Sequence, residues 1–262
     1  MWIWLQNKSH VKWIGLGALV LLASGLGLIF FGPDKSAESP SRFIQADFIE
    51  LDRIAQISKF RSGSGHDFSQ GTGETCRSMK HYFNVPHTEE SERLGRQNNF
   101  LPPAPDGKTD IKIYSPVDGK IVRIEEEQTT GEQIYIEPTN ASQYTLRLFH
   151  IYKLDGIKKG LKVTAGQQIG VIGQYQNTDI AIEKREGFNP YFVSYFEVMP
   201  DSLFANYQAH GIKDRSELIF SKEYRDANPL QCNGEQFSTN YDSDPNSGNF
   251  VYLTNQADAR AN

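Results

Sequence analysis

Between Ile111 and Glu183 the chain runs in short stretches of alternating apolar residues, each closed by turn-forming residues. Ile111, Ile113, Val117, Ile121 and Ile124 alternate around the turn Pro116-Val117-Asp118-Gly119. Ile134-Tyr135-Ile136, Tyr144 to Phe149, Ile169 to Gly173 and Asp179 to Glu183 continue the pattern. A period of two is that of a pleated strand with one buried face, whereas helical apolar positions recur at three and four. Short strands separated by turn signals predict a mainly β fold, a compact antiparallel β-sandwich. An aromatic content of 12% supplies the bulk for a packed core and argues against disorder.

The flanks read differently. Phe48, Leu51, Ile54 and Ile57 have helical spacing and predict a short helix within Phe43 to Phe60. A glycine-rich stretch follows from Arg61 to Phe83, and in its last part Cys76, Met79 and Tyr82 share one side of a predicted short helix. Asn98 to Lys108 is a proline-rich loop. Asp201 and Ser202 suit the cap of a helix through Ala209 that Gly211 ends, and a second, weaker helix is predicted from Asp214 into Arg225. Past Pro229 the chain is rich in Asn, Ser and Asp and reads as a loose tail.

Trp13 to Gly32 is an uncharged run of 20 residues, the length a helix needs to cross a bilayer. Lys8 and Lys12 precede it, and no basic residue follows before Lys35, which leaves the N-terminus in the cytoplasm and exports the rest. The rival is a cleaved signal peptide with Ala23-Ser24-Gly25 as its small-residue site. Leu26 to Phe31 extend the apolar run beyond that site and favour an anchor. The expected division is a cytoplasmic N-terminus over 1–12, a transmembrane anchor over 13–32, a linker over 33–42, a β domain over 43–200, and a helical appendage with a loose tail over 201–262. The expected location is the cell membrane, single-pass, with the bulk extracytoplasmic (periplasmic in a Gram-negative source).

A net charge of −5 with no basic run beyond Lys158-Lys159 excludes a phosphate-neutralising stripe and hence nucleic acid as a partner. Cys76 and Cys232 are the only cysteines, and in an exported chain they allow one disulfide. The competing reading makes Cys76 a metal ligand near His66 and His81.

Two segments, YSPVDGKIVRI over 114–124 and LFHIYKLDGIKKGLKVTAGQQIGVIG over 148–173, carry a resemblance. A Pro-x-Asp-Gly turn, a strand, and later Val-x-x-Gly-Gln-x-Ile-Gly resemble the β-sandwich of lysostaphin-type zinc peptidoglycan endopeptidases, over roughly residues 60 to 185. In that family a strand before the second segment carries a His, which His150 resembles, and this implies a catalytic role for His150. The glycine-rich stretch falls where the family has His-x-x-x-Asp, and Asp179 to Glu183, DIAIE, falls where it has His-x-His-x-Glu. Of the family's metal ligands only Asp67 is in register: Gly63 replaces the first His, and Ala181 replaces the metal-binding His of the last motif, with Asp179 at its other His. Zinc in hydrolases takes three protein ligands and an open position, so the resemblance implies zinc while the residues in register imply none.

A rebuilt site would use Asp67 with His66, His81 and Asp179 as metal ligands; the plain alternative is that His66 and Asp67 satisfy loop hydrogen bonds. Arg77 and Lys80 either line a pocket for a carboxylate-bearing ligand such as a peptide stem, or belong to a packed helix. Glu125 to Glu127 reads as a solvated strand end. Three functions follow. The first is an anchored, non-catalytic peptidase-like domain that binds or regulates a peptidoglycan-related or other envelope component. The second is an active zinc metalloendopeptidase with a relocated metal site. The third, a lipoyl-like adaptor of an export system, calls for a helical hairpin between the two halves, and Val122 to Leu161 is strand-like instead.

Overall fold

A computed structural model describes residues 41–69, 72–85, 108–128, 130–173, 177–186, 189–242 and 248–254. The apolar run expected as an anchor, its cytoplasmic flank and nearly all of the linker lie outside these residues. Among the described residues no helix is long and apolar enough to cross a membrane.

The alternating runs all become strands. In chain order the strands are β1 (Gln56–Ser58), β2 (His81–Asn84), β3 (Lys108–Tyr114), β4 (Gly119–Glu127), β5 (Gly131–Pro138), β6 (Tyr144–Lys153), β7 (Lys162–Val163), β8 (Gln168–Gly173), β9 (Thr178–Glu186), β10 (Asn189–Val193), β11 (Cys232–Asn233), β12 (Gln236–Phe237) and β13 (Phe250–Tyr252). Eleven of them join one branched antiparallel sheet along the path β13-β1-β2-β9-β6-β5-β4-β7, with β10 on β9 and with β8 linking β6 to β3. The expected mainly β, antiparallel architecture is present, as a continuous branched sheet instead of two separate sheets. β11 and β12 form a separate hairpin.

Alternation assigns the two faces. Phe83, Ile134, Ile136, Leu146, Leu148, Ile180 and Ile182 lie in the main core, where each fully buried side chain contributes about 1.5–3 kcal/mol. The residues between them point the other way, since successive side chains on a strand alternate. Across neighbouring strands Tyr82 stands opposite Asp179, Ala181 opposite Arg147, and Arg147 opposite Tyr135. These pairs, with Phe149, make up the second face. A smaller cluster of Phe60, Met79, Phe149, Ala181 and Phe192 packs there, with Phe68 of the glycine-rich segment against it.

Two expected helices are replaced. Ile44, Phe48, Leu51, Ile54 and Ile57 are buried as their spacing demands, yet only Leu51–Arg53 forms a 3-10 turn, and Gln56–Ser58 is β1. Bonds to the β3–β4 turn and to the sheet replace helical ones: Gln45 and Ala46 donate their N–H to Pro116 O, and Ala55 donates to Asn84 O. The helix expected from Cys76 is instead an extended approach to β2, with Ser78 bridged to Ser62.

The C-terminal part is woven into the sheet. Helix α1 (Asp201–Ala209) forms as expected and ends near Gly211, whose φ of 95° is in the left-handed region. Its Phe204 and Tyr207 enter the main core. The second predicted helix is divided into a 3-10 turn, Arg215–Leu218, capped by Asp214, and helix α2 (Lys222–Ala227), capped by Ser221. Phe60 O accepts the Phe220 N–H between them. β13, in the expected loose tail, pairs with β1.

Candidate functional site

On the second face of the sheet, four ionisable side chains meet. Lys80 Nζ lies 2.6 Å from Asp179 Oδ2, His150 Nε2 lies 3.0 Å from Asp179 Oδ1, and His150 Nδ1 lies 2.6 Å from Glu127 Oε2. Asp179 is completely buried and Lys80 is only 2% exposed. The ammonium is also enclosed by aromatic faces, with ring centroids at 4.1 Å (Phe149), 4.6 Å (Phe68) and 5.1 Å (Tyr82).

Burial alone would raise the Asp179 carboxyl and lower His150 and Lys80, but the charges beside each group win. Lys80 and His150 hold Asp179 down to about 2, and Asp179 with Glu127 carries His150 up to about 9. Lys80 is raised by Asp179, and Glu127 is lowered chiefly by its hydrogen bond to His150. At neutral pH two positive and two negative charges therefore close on one another, which is what a low-dielectric site requires.

Backbone geometry sets this arrangement. His150 has φ of 61°, an unusual value for a residue with a Cβ, at the point where β6 passes the end of the β4–β5 hairpin. Glu127 Oε2 also accepts the His150 N–H at 3.2 Å and the Thr130 hydroxyl at 2.7 Å. Gly131 permits this close approach: its φ is 89°, and a Cβ there would sit 2.5 Å from Ile151 O. On the opposite wall Gly65 lies over Tyr82, where a Cβ would meet the phenol oxygen at 2.2 Å.

The other residues singled out in the sequence divide by location. His66 and Asp67 line a cavity of about 240 Å³ together with Phe68, Arg147, Phe192 and Glu235. Burial, and then Lys80, push the His66 imidazole down, so it is neutral at pH 7, and its Nδ1–H donates to Asp67 O. The Asp67 carboxylate accepts from Ser69 Oγ, Cys76 N and Arg77 N, so it braces its own loop. His81 is not brought to the group: it stands opposite Ile180, on the face of β2 turned away from Asp179. Its Nδ1–H donates to Ser58 O and its Nε2 bonds Ser194 Oγ, each at 2.8 Å, and burial lowers it to about 4. The Arg77 guanidinium is spent on Glu74 and Asp226, at 2.6 and 2.8 Å. Cys76 and Cys232 form a disulfide that ties the glycine-rich segment to the β11–β12 hairpin, so Cys76 is no thiolate ligand.

These positions test the zinc that the resemblance implies. Ala181 offers no donor, Asp179 is taken by Lys80 and His150, and both ring nitrogens of His150 are engaged. Among the described residues no three His, Cys, Asp or Glu side chains gather as a metal-holding group. The residues present do not fit zinc, because Gly63 and Ala181 offer no donor at two of the implied ligand positions and the Asp67 carboxylate is spent on Ser69, Cys76 and Arg77.

Two participants were not foreseen. Glu127, read as a solvated strand end, is the second carboxylate on His150, and Arg147 received no role. The signal for Arg147 was present: a cation in the middle of an otherwise apolar alternating strand has to face something polar or aromatic.

Residues 103–187 match the family model described as peptidase family M23. No curated protein sequence matches the chain. Among solved structures, the catalytic domain of lysostaphin from Staphylococcus simulans is 15% identical, with 52% of this chain and 84% of that one covered and a TM-score of 0.34. A zinc-containing peptidase from Vibrio cholerae is 21% identical over 62% of this chain and 40% of that one, with a TM-score of 0.36. A chain of the SpoIIQ–SpoIIIAH pore-forming complex is 11% identical over 64% of this chain and 98% of that one, with a TM-score of 0.40. The family match, over about a third of the chain, spans Glu127, Arg147, His150 and Asp179.

Proposed function

We propose that this chain is a non-catalytic, peptidase-like domain that binds or regulates a peptidoglycan-related component of the cell envelope. In this reading it is held at the membrane by its N-terminal apolar run, with the β domain on the extracytoplasmic side. One observation carries the loss of hydrolysis: the Lys80 ammonium sits 2.6 Å from Asp179, which shares a face of β9 with Ala181, the vacated ligand position two residues on. A hydrolytic zinc needs three ligands and a position for water, and its bound water has to lose a proton near neutral pH. A protonated lysine at the same carboxylate opposes both. The disulfide supports the oxidising compartment, since such bonds persist outside the cytoplasm.

The test is the full chain purified in detergent, reloaded with zinc, desalted, and assayed for metal content and for release of peptide fragments from peptidoglycan. Substoichiometric zinc and no released fragments are expected. About one zinc per chain, lost in His150→Ala along with fragment release, would establish an active metallopeptidase instead.

A further inference from the structure

Arg77 and Lys80, the cations expected to meet a carboxylate-bearing ligand, are consumed by internal ion pairs; the cation that lines the cavity is Arg147. It projects from the middle of β6, directly across from Ala181, so the side chain that would crowd it is a methyl group. Its guanidinium lies over the rings of Phe68 and Tyr135, each 4.9 Å from the centroid, and 5.3 Å from that of Phe149. Such stacking fixes the plane of the fork while leaving its N–H edge unused. Nη2 donates to the neutral amide oxygen of Gln133 at 3.3 Å, and Nε is buried with no hydrogen-bond partner. Among the described residues no carboxylate lies within ion-pair distance of Arg147; Glu125, which feels its charge, is already held by Tyr135 and Arg123. Arg147 is thus a half-buried, pre-oriented fork on a cavity wall, and its missing partner is an anion with two coplanar oxygens.

The rest of the cavity narrows the choice. Asp67 spends its carboxylate on Ser69, Cys76 and Arg77, so it does not compete for the Arg147 guanidinium. Glu235, on the β11–β12 side, adds a negative lip, and Asp67 N–H binds its backbone oxygen at 2.7 Å. Phe68 and Phe192 supply apolar walls 5.0 Å apart between ring centroids. A volume of about 240 Å³ admits one or two small residues, not a folded partner.

We propose that this cavity is a binding site for the free carboxyl end of a peptide that also carries an amine, with the carboxylate on Arg147 and the ammonium toward Glu235. The proposal rests on the reading of the domain as a binding module and names the chemistry of what it binds. The probe is Nα-acetyl-L-Lys-D-Ala-D-Ala, which has both charges, and its C-terminal amide, which lacks the carboxylate. Calorimetric titration into the full chain in detergent is expected to show saturable binding of the acid. The amide and the Arg147→Gln variant are each expected to weaken binding by at least about tenfold, with Arg147→Lys intermediate because it keeps the charge and loses the fork. Equal binding of acid and amide, or no binding of the acid at millimolar concentration, would overturn the proposal. The acid–amide comparison uses unaltered protein, so it decides the question even where Arg147→Gln fails to fold. Metal-free protein that fails to bind the probe removes this site alone, whereas cleavage of the probe or peptidoglycan by zinc-loaded protein removes the non-catalytic reading.

Discussion

A carboxylate sealed from water has to be paired or protonated, and Asp179 is paired twice, by Lys80 and by His150. Removing one partner leaves a buried charge, so Lys80→Ala is expected to destabilise the chain by about 3–5 kcal/mol, and the Lys80→Ala/Asp179→Ala double variant by less than the sum of the singles. Urea unfolding measures both; a loss under about 1 kcal/mol for Lys80→Ala would mean that the pair is solvated. The titration signs give a second prediction. His150 is raised from 6.5 to about 9, so its stabilising contribution is complete below pH 6.5 and disappears as pH rises toward 9. Asp179 is lowered from 3.8 to about 2, so its contribution is complete above pH 3.8 and disappears as pH falls toward 2. Melting temperature is therefore expected to be level between about pH 4 and 6.5 and to fall on either side. His150→Gln should flatten the alkaline fall, and an unchanged alkaline limb in that variant would dissociate His150 from it. Of this group, Asp179 and His150 were visible in the sequence through the resemblance and Lys80 as a candidate ligand contact. Their convergence was not, since it depends on β2 pairing with β9 across nearly one hundred residues.

At the level of elements, period-two alternation over residues 111–183 was a sufficient signal because one face of each strand meets the core, while the other meets the site on β6 and β9 and solvent along much of β4. The helical spacing in residues 43–60 misled for a physical reason. Three-residue spacing buries side chains equally well in an irregular segment whose N–H groups bond to the β3–β4 turn and to the sheet, as Gln45, Ala46 and Ala55 do. The β4–β5 hairpin positions Glu127 through Gly131, where any Cβ meets Ile151 O. Gly131→Ala is therefore expected to cost at least about 1 kcal/mol and to reduce the alkaline dependence attributed to His150. A melt superimposable on that of the parent chain would show that the hairpin end adjusts freely. The disulfide closes a sequence separation of 156 residues, and removing it in a Cys76→Ala/Cys232→Ala variant should lower stability by about 2–5 kcal/mol. Since it also joins the two segments that carry Phe68 and Glu235, probe binding should weaken in the same variant.

For the whole molecule, the β scaffold and the charged group built on it have separate origins in the sequence. The Pro-x-Asp-Gly and Val-x-x-Gly-Gln-x-Ile-Gly turns survive because backbone bonds demand them: Asp118 accepts the Ala165 N–H at 2.9 Å and Gly166 N–H donates to Ser115 O at 2.8 Å. The resembled ligand positions carry no such demand, and Ala181 stands at one of them within β9 without disturbing the strand. The C-terminal part, expected as an appendage, returns through β13 to the sheet edge because Leu253 and Phe204 complete the core. In the non-catalytic reading proposed above, the Lys80–Asp179–His150 group leaves no opening for a metal. A crystal structure of the full chain grown in excess zinc, with anomalous data at the zinc edge, decides the matter. Lys80 Nζ within hydrogen-bond distance of Asp179 and no anomalous peak near Asp67, Asp179 or His150 are expected. A zinc peak on any of these side chains, with Lys80 turned away from Asp179, would overturn that reading.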